Sequence, residues 1–110
     1  MESAEQQAMT EALNRLWSQF LPQMEERLAL IDSANQSLAG DKLTNDDRGA
    51  ANSAAHKLAG VLGTFGLTKG TVLAREVELM YSGEAETDPA SLPRLQEIVI
   101  QLKAMIESRK

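Results

Sequence analysis

The sequence has no cysteine and a single histidine. Without cysteine there is no disulfide, no thiol nucleophile and no Cys-based zinc or iron–sulfur site. One histidine excludes a two-His zinc site and any His cluster. A Ser-His-Asp triad would have to use that one imidazole. Aromatics are scarce, with one Trp, one Tyr and two Phe. No apolar run approaches the ~20 residues that span a bilayer. The opening stretch, MESAEQQAMTEALNRL, has neither a basic n-region nor an apolar h-region, so it does not read as a signal peptide. Basic residues are outnumbered, 11 against 16 acidic, for a formal net charge of -5 and a pI near 4.8. Nucleic-acid partners require a basic face, which this balance does not supply. These absences point to a soluble protein of a reducing, cytoplasmic compartment. They give no reason to expect a membrane, nucleic acid, metal or cofactor.

Strand signals are missing as well. There is no useful period-2 alternation and no Asn-Gly hairpin. What the chain does have is Ala, Leu, Glu, Gln and Lys, all good helix formers, with apolar residues at helical spacing. At 110 residues it is one domain of ordinary size, residues 1–110, either free-standing or part of a larger protein.

Leu13, Leu16, Trp17 and Phe20 form a first stripe that stops near Pro22. Proline sits best at a kink or helix start, so a short separate helix is expected there. Leu21, Met24, Leu28, Ile31, Ala34 and Leu38 follow as the cleanest amphipathic stripe, with Gly40 as its stop. Thr44 reads as the cap of the next helix, with Asp46 and Asp47 in its first turn. Ala51, Ala55, Leu58, Leu62 and Phe65 carry that helix to Gly66. A further helix runs from about Leu67 to Tyr81, with Val72, Leu73, Val77, Met80 and Tyr81 as its stripe. A polar loop is expected over 82–89, its acids Glu84, Glu86 and Asp88 lacking the spacing of a calcium loop. Pro93 suits the first turn of the last helix, lined by Leu95, Ile98, Val99, Leu102, Met105 and Ile106. Trp17 and Phe20 are expected to close one end of the core. Met1 to Gln7 and Ser108 to Lys110 are expected to fray. The fold class is therefore all-α: an antiparallel up-down-up-down four-helix bundle with a short extra N-terminal helix.

His56 lies in the middle of the third stripe, but off it. Its helix-face neighbours are Asn52, Ser53, Ala59, Gly60 and Gly63, all small. Each glycine inside a helix costs about 0.5–1 kcal/mol relative to alanine. One reason to tolerate that cost is a second surface approaching the backbone beside the imidazole. Close packing of a neighbouring helix is the competing reason. An imidazole suits transient chemistry, because it offers a neutral nucleophilic nitrogen near physiological pH. An acid accepting from Nδ1–H would fix the lone pair on Nε2. In an antiparallel hairpin turning near Gly66, position 56 is level with positions 76 to 78, so Glu76 and Glu78 are both candidates.

The segment His56-Lys57-Leu58-Ala59-Gly60-Val61-Leu62-Gly63-Thr64-Phe65-Gly66 resembles the signature of histidine-containing phosphotransfer (HPt) domains. That signature has a His, then Leu two residues on, Lys or Ala three on, Gly four on and Gly ten on. Leu58, Gly60 and Gly66 match. The resemblance extends into Leu73-Ala74-Arg75-Glu76-Val77-Glu78, where the family places an acid or amide that supports the imidazole. The resemblance implies that this residue is Glu78. One departure stands out. Many members carry Lys three residues after the His, where this chain has Ala59. Lys57 lies one residue on, about 100° around the helix.

The resemblance implies a phosphorelay intermediate. His56 would accept a phosphoryl group from a receiver-domain aspartyl phosphate, or from a histidine kinase, and pass it to another response-regulator receiver. The Mg²⁺ and the activating groups would belong to the receiver, so the chain would be a monomeric carrier more than a self-sufficient enzyme. Asn52, Ser53, Lys57, Ala59, Gly60 and Gly63 are the expected partner-binding residues. The competing reading is a helical adaptor that binds a signalling partner without covalent chemistry.

Overall fold

The computed structural model describes residues 3–82 and 87–109. It contains α1 (Ala4–Ala39), α2 (Asn45–Thr64), α3 (Thr68–Met80) and α4 (Leu92–Arg109), with one 3₁₀ turn at Pro89–Ser91. The helices pack as an antiparallel four-helix bundle in which α1 meets α2 and α4, and α3 meets the same two. Among the described residues no helix is long and apolar enough to cross a membrane.

The expected short N-terminal helix does not exist as a separate element. α1 is continuous for 36 residues with Pro22 inside it. At 1.5 Å rise per residue this helix is about 54 Å long, and the longest dimension of the molecule is 54 Å. Proline removes one backbone hydrogen bond and crowds the carbonyl four residues back, at a cost of about 3 kcal/mol. Buried Trp17 and Met24 anchor the helix on both sides of the proline. Burying a large apolar side chain contributes about 1.5–3 kcal/mol, so the two anchors together offset the break. The N-terminal end is also ordered further than expected. Ser3 and Gln6 form a reciprocal capping box, and the helix starts at Ala4. Ser108 and Arg109 likewise belong to α4. Half of the expected polar loop, residues 83–86, lies outside the described residues, Glu84 and Glu86 included.

α2 begins as its sequence indicates. Thr44 Oγ1 accepts from the Asp47 amide at 3.0 Å, and the Thr44 amide donates to Asp47 Oδ2 at 3.3 Å. The helix ends in a Schellman arrangement. The Leu67 amide donates to the Leu62 carbonyl and the Gly66 amide to the Gly63 carbonyl. Gly66 has φ +73°, a left-handed conformation that favours glycine. α1 closes in the same way, but Asp41 (φ 55°) takes the left-handed position, one residue after the expected stop at Gly40.

The core is built from Met24, Leu28 and Ile31 of α1, Leu58 and Leu62 of α2, Leu73 and Val77 of α3, and Leu95, Ile98 and Leu102 of α4. Trp17 and Phe65 meet edge to face at 5.1 Å, and the Arg109 guanidinium lies 5.0 Å from the Trp17 ring. That end of the bundle is therefore closed by aromatics. Two expected core residues face outward: Leu16 is 41 % exposed and Val72 60 %. Deep in the core the Tyr81 hydroxyl donates to Asn35 Oδ1 at 2.6 Å. Burial pushes the Tyr81 phenol from 10.0 up to about 12.

Candidate functional site

The site lies on the α2–α3 hairpin. Short chain reversal at Phe65–Leu67 makes the two helices antiparallel neighbours. His56 stands on α2 with its side chain 68 % exposed, and Glu78 comes from the last turns of α3. His56 Nδ1 stands 2.9 Å from Glu78 Oε2, and because an ionised carboxylate can only accept, the donor in this contact is Nδ1–H. With the proton held on Nδ1, the lone pair is on Nε2, the nitrogen that Glu78 does not engage. The sequence alone left Glu76 and Glu78 both open. Glu76 turns to α4 instead, where Arg94 donates to both its oxygens at 3.1 and 2.8 Å. Arg94 also approaches Glu97 at 3.3 Å.

Two further bonds join the same helices. Asn52 Nδ2 donates to the Glu78 carbonyl at 2.7 Å. Thr71 Oγ1 donates to the Ala59 carbonyl at 3.0 Å. Both pairs are symmetric in sequence about Phe65, two positions before the midpoint of the His56–Glu78 pair at Leu67. Thr71 was not anticipated from the sequence. Applying the hairpin symmetry to polar residues, and not only to acids, would have found it.

The six expected partner-binding residues separate into distinct environments. Ala59 is 2 % exposed and belongs to the core. It offers no surface to a partner, because α2 is rotated so that both Leu58 and Ala59 face inward. Asn52 is half-buried and its amide is committed to α3. Gly63 is exposed, yet a Cβ there would stand 3.3 Å from Thr71 Oγ1. Its missing side chain thus makes room for α3. Gly60 differs: a Cβ there would meet nothing within 4 Å. The opening beside the imidazole is at Gly60. Ser53 and Lys57 are exposed on the α1 side of α2. There, with Arg27 and Leu30, they line an open groove of about 390 Å³. Among the described residues no group of acids, His or Cys could hold a metal ion.

The arrangement presents one oriented imidazole on an open surface. It can act as a nucleophile toward a group delivered by another molecule.

Comparison with known proteins places the chain in a family. A family model described as the Hpt domain matches residues 15–108. Protein RcaC from Microchaete diplosiphon is 32 % identical over 105 residues, which is 96 % of this chain and 16 % of that protein. The chain therefore spans about one sixth of the length of that curated relative. No solved structure matches. A helical bundle with a surface histidine held by a carboxylate, matched over most of its length by the family model, belongs to the Hpt domain family, with that family's phosphotransfer role in two-component signalling.

Proposed function

We propose that His56 is the phospho-acceptor of this domain, and that Glu78 orients it. The donor is a response-regulator receiver carrying an aspartyl phosphate, or a histidine kinase. The acceptor is another receiver. The carrying observation is the exposed imidazole with Nδ1 held 2.9 Å from a carboxylate.

The Nε2 lone pair attacks phosphorus in line with the departing aspartyl oxygen. An N–P bond forms, the acyl P–O bond breaks, and the leaving carboxylate takes its electron pair. No proton leaves Nδ1 in this step, so the ring becomes cationic. The Glu78 carboxylate then offsets that charge. Such transfer depends on positioning and charge neutralisation. The metal and the activating groups come from the receiver.

The docking surface is the open strip at His56 and Gly60, continued by Ser53 and Lys57 along the α1–α2 groove. Lys57 and Arg27, against the one acid Glu26, leave that groove net positive, where it would face the acidic pocket of a receiver. In the absence of a lysine at position 59, Lys57 is the nearest cation in sequence to His56. A monomeric carrier in the cytoplasm belongs to the same reading.

The test is to incubate the protein with a phosphorylated receiver and look for an acid-labile, alkali-stable phosphate. Wild type should acquire it and His56→Gln should not. Binding of receivers without any label on the wild-type protein would instead establish an adaptor.

A further inference from the structure

α3 is a short helix, and its last turn carries Glu78. The final carbonyls of any helix lack intrahelical partners and need other donors. In α3 each finds one. The Tyr81 amide donates to the Val77 carbonyl and the Ser82 amide to the Leu79 carbonyl. Thr87 Oγ1 donates to the Met80 carbonyl. Among the described residues, the donor to the Glu78 carbonyl is the Asn52 side chain, at 2.7 Å.

Asn52 stands one helical turn before His56 on α2. A single side chain of the histidine's own helix therefore grips the main chain of the residue whose carboxylate holds the imidazole. Helix ends fray within the last turn when their caps are lost. A frayed turn at residue 78 would let the carboxylate wander from Nδ1. The second α2–α3 bond, Thr71 to Ala59, sits in the first turn of α3. It ties the helices together without touching residue 78.

We infer that Asn52 is a positioning residue for phosphoryl transfer: by capping the Glu78 carbonyl it keeps the Glu78 carboxylate on Nδ1 and the reactive lone pair on Nε2. The inference rests on His56 being the phospho-acceptor. It gives Asn52 an inward task in place of a partner contact.

The experiment reads the imidazole directly. Long-range ¹H–¹⁵N spectra of the unphosphorylated protein, recorded above neutral pH, distinguish the two tautomers. Wild type should be protonated on Nδ1. Asn52→Leu, similar in size but without the donor, should move the population toward the Nε2–H form that a free imidazole prefers. It should also slow phosphorylation by the small donor phosphoramidate about threefold to tenfold. Thr71→Val removes the other inter-helix bond and should keep the wild-type tautomer. If Asn52→Leu does not fold, Asn52→Asp has the same size, also lacks the donor, and should shift the tautomer the same way. A wild-type tautomer in the folded Asn52 variant, or an equal shift in Thr71→Val, would overturn the inference. So would a wild-type imidazole already protonated on Nε2. The tautomer readout needs no phosphate donor. Failure of wild type to acquire phosphate on His56, with the tautomer shift intact, would therefore reject the phospho-acceptor reading separately.

Discussion

His56 Nδ1 and Glu78 Oε2 stand 2.9 Å apart, although 22 positions of chain separate the two residues. The imidazole side chain is 68 % exposed and the carboxylate side chain only 26 %. The acid is thus the better anchored partner, and the imidazole is the part presented to solvent. Orientation comes from α3 and access from α2.

Removing that carboxylate should slow transfer without unfolding the domain. Glu78→Ala is expected to lower the rate of phosphoryl uptake from a receiver by about tenfold to a hundredfold, the range of an orienting and charge-stabilising group. The far-ultraviolet circular dichroism should stay that of wild type. Glu76→Ala is the matched control. It breaks the Arg94 pair at the surface and leaves His56 held by Glu78. Stopped-flow transfer assays on both variants check this, and equal rates for Glu78→Ala and wild type would remove Glu78 from the mechanism.

The two glycines Gly60 and Gly70 should respond oppositely to added bulk. A Cβ at Gly60 meets open space, so Gly60→Ala should stabilise the helix by about 0.5–1 kcal/mol. Gly60→Leu should leave the fold intact and block receiver docking. At Gly70 a Cβ would stand 3.0 Å from Leu62 Cδ1 and 3.2 Å from Met105 Sδ. Gly70→Val overpacks that three-helix contact and should destabilise by about 1–3 kcal/mol. Urea unfolding measures the stabilities, and titration calorimetry with a receiver measures docking.

Alkaline pH should destabilise the protein through its one tyrosine. Burial pushes the Tyr81 phenol from 10.0 up to about 12. Below pH 10 the phenol is neutral in both states, and its contribution to stability is fully present. Between about pH 10 and 12 the unfolded chain releases the proton while the folded chain keeps it. Stability therefore falls as pH rises through that window, with a limiting slope of about 1.4 kcal/mol per pH unit. Phenolate absorbance reports Tyr81 alone, because the sequence has a single Tyr. Tyr81→Phe should abolish this component of the pH dependence. At neutral pH it should cost about 1–3 kcal/mol, because the buried Asn35 Oδ1 loses its donor. A phenolate midpoint near 10 in the folded protein would contradict the burial argument.

Much of the bundle was legible in the sequence because it depends on local patterns. The stripe from Leu21 to Leu38, the Thr44 cap and the glycine stop at Gly66 each follow from helical spacing and cap chemistry, and each is present. Pro22 misled because local chemistry disfavours proline within a helix, whereas core contacts on both sides hold this one in place. Leu16 and Val72 carry apolar side chains at core spacing but face solvent, since periodicity does not say where the neighbouring helices stop.

The site divides along the same line. The sequence by itself determined which residue could be the nucleophile, because there is only one histidine, and it placed that residue off the apolar stripe of its helix. It narrowed the supporting acid to two glutamates. Tertiary structure decided the rest: Glu78 for His56, Glu76 for Arg94, Asn52 for the end of α3, and Ala59 for the core. Those assignments depend on the rotation and axial offset of α2 against α3 and α4. That geometry is set by how all the core side chains interdigitate, and no single segment of the sequence contains it.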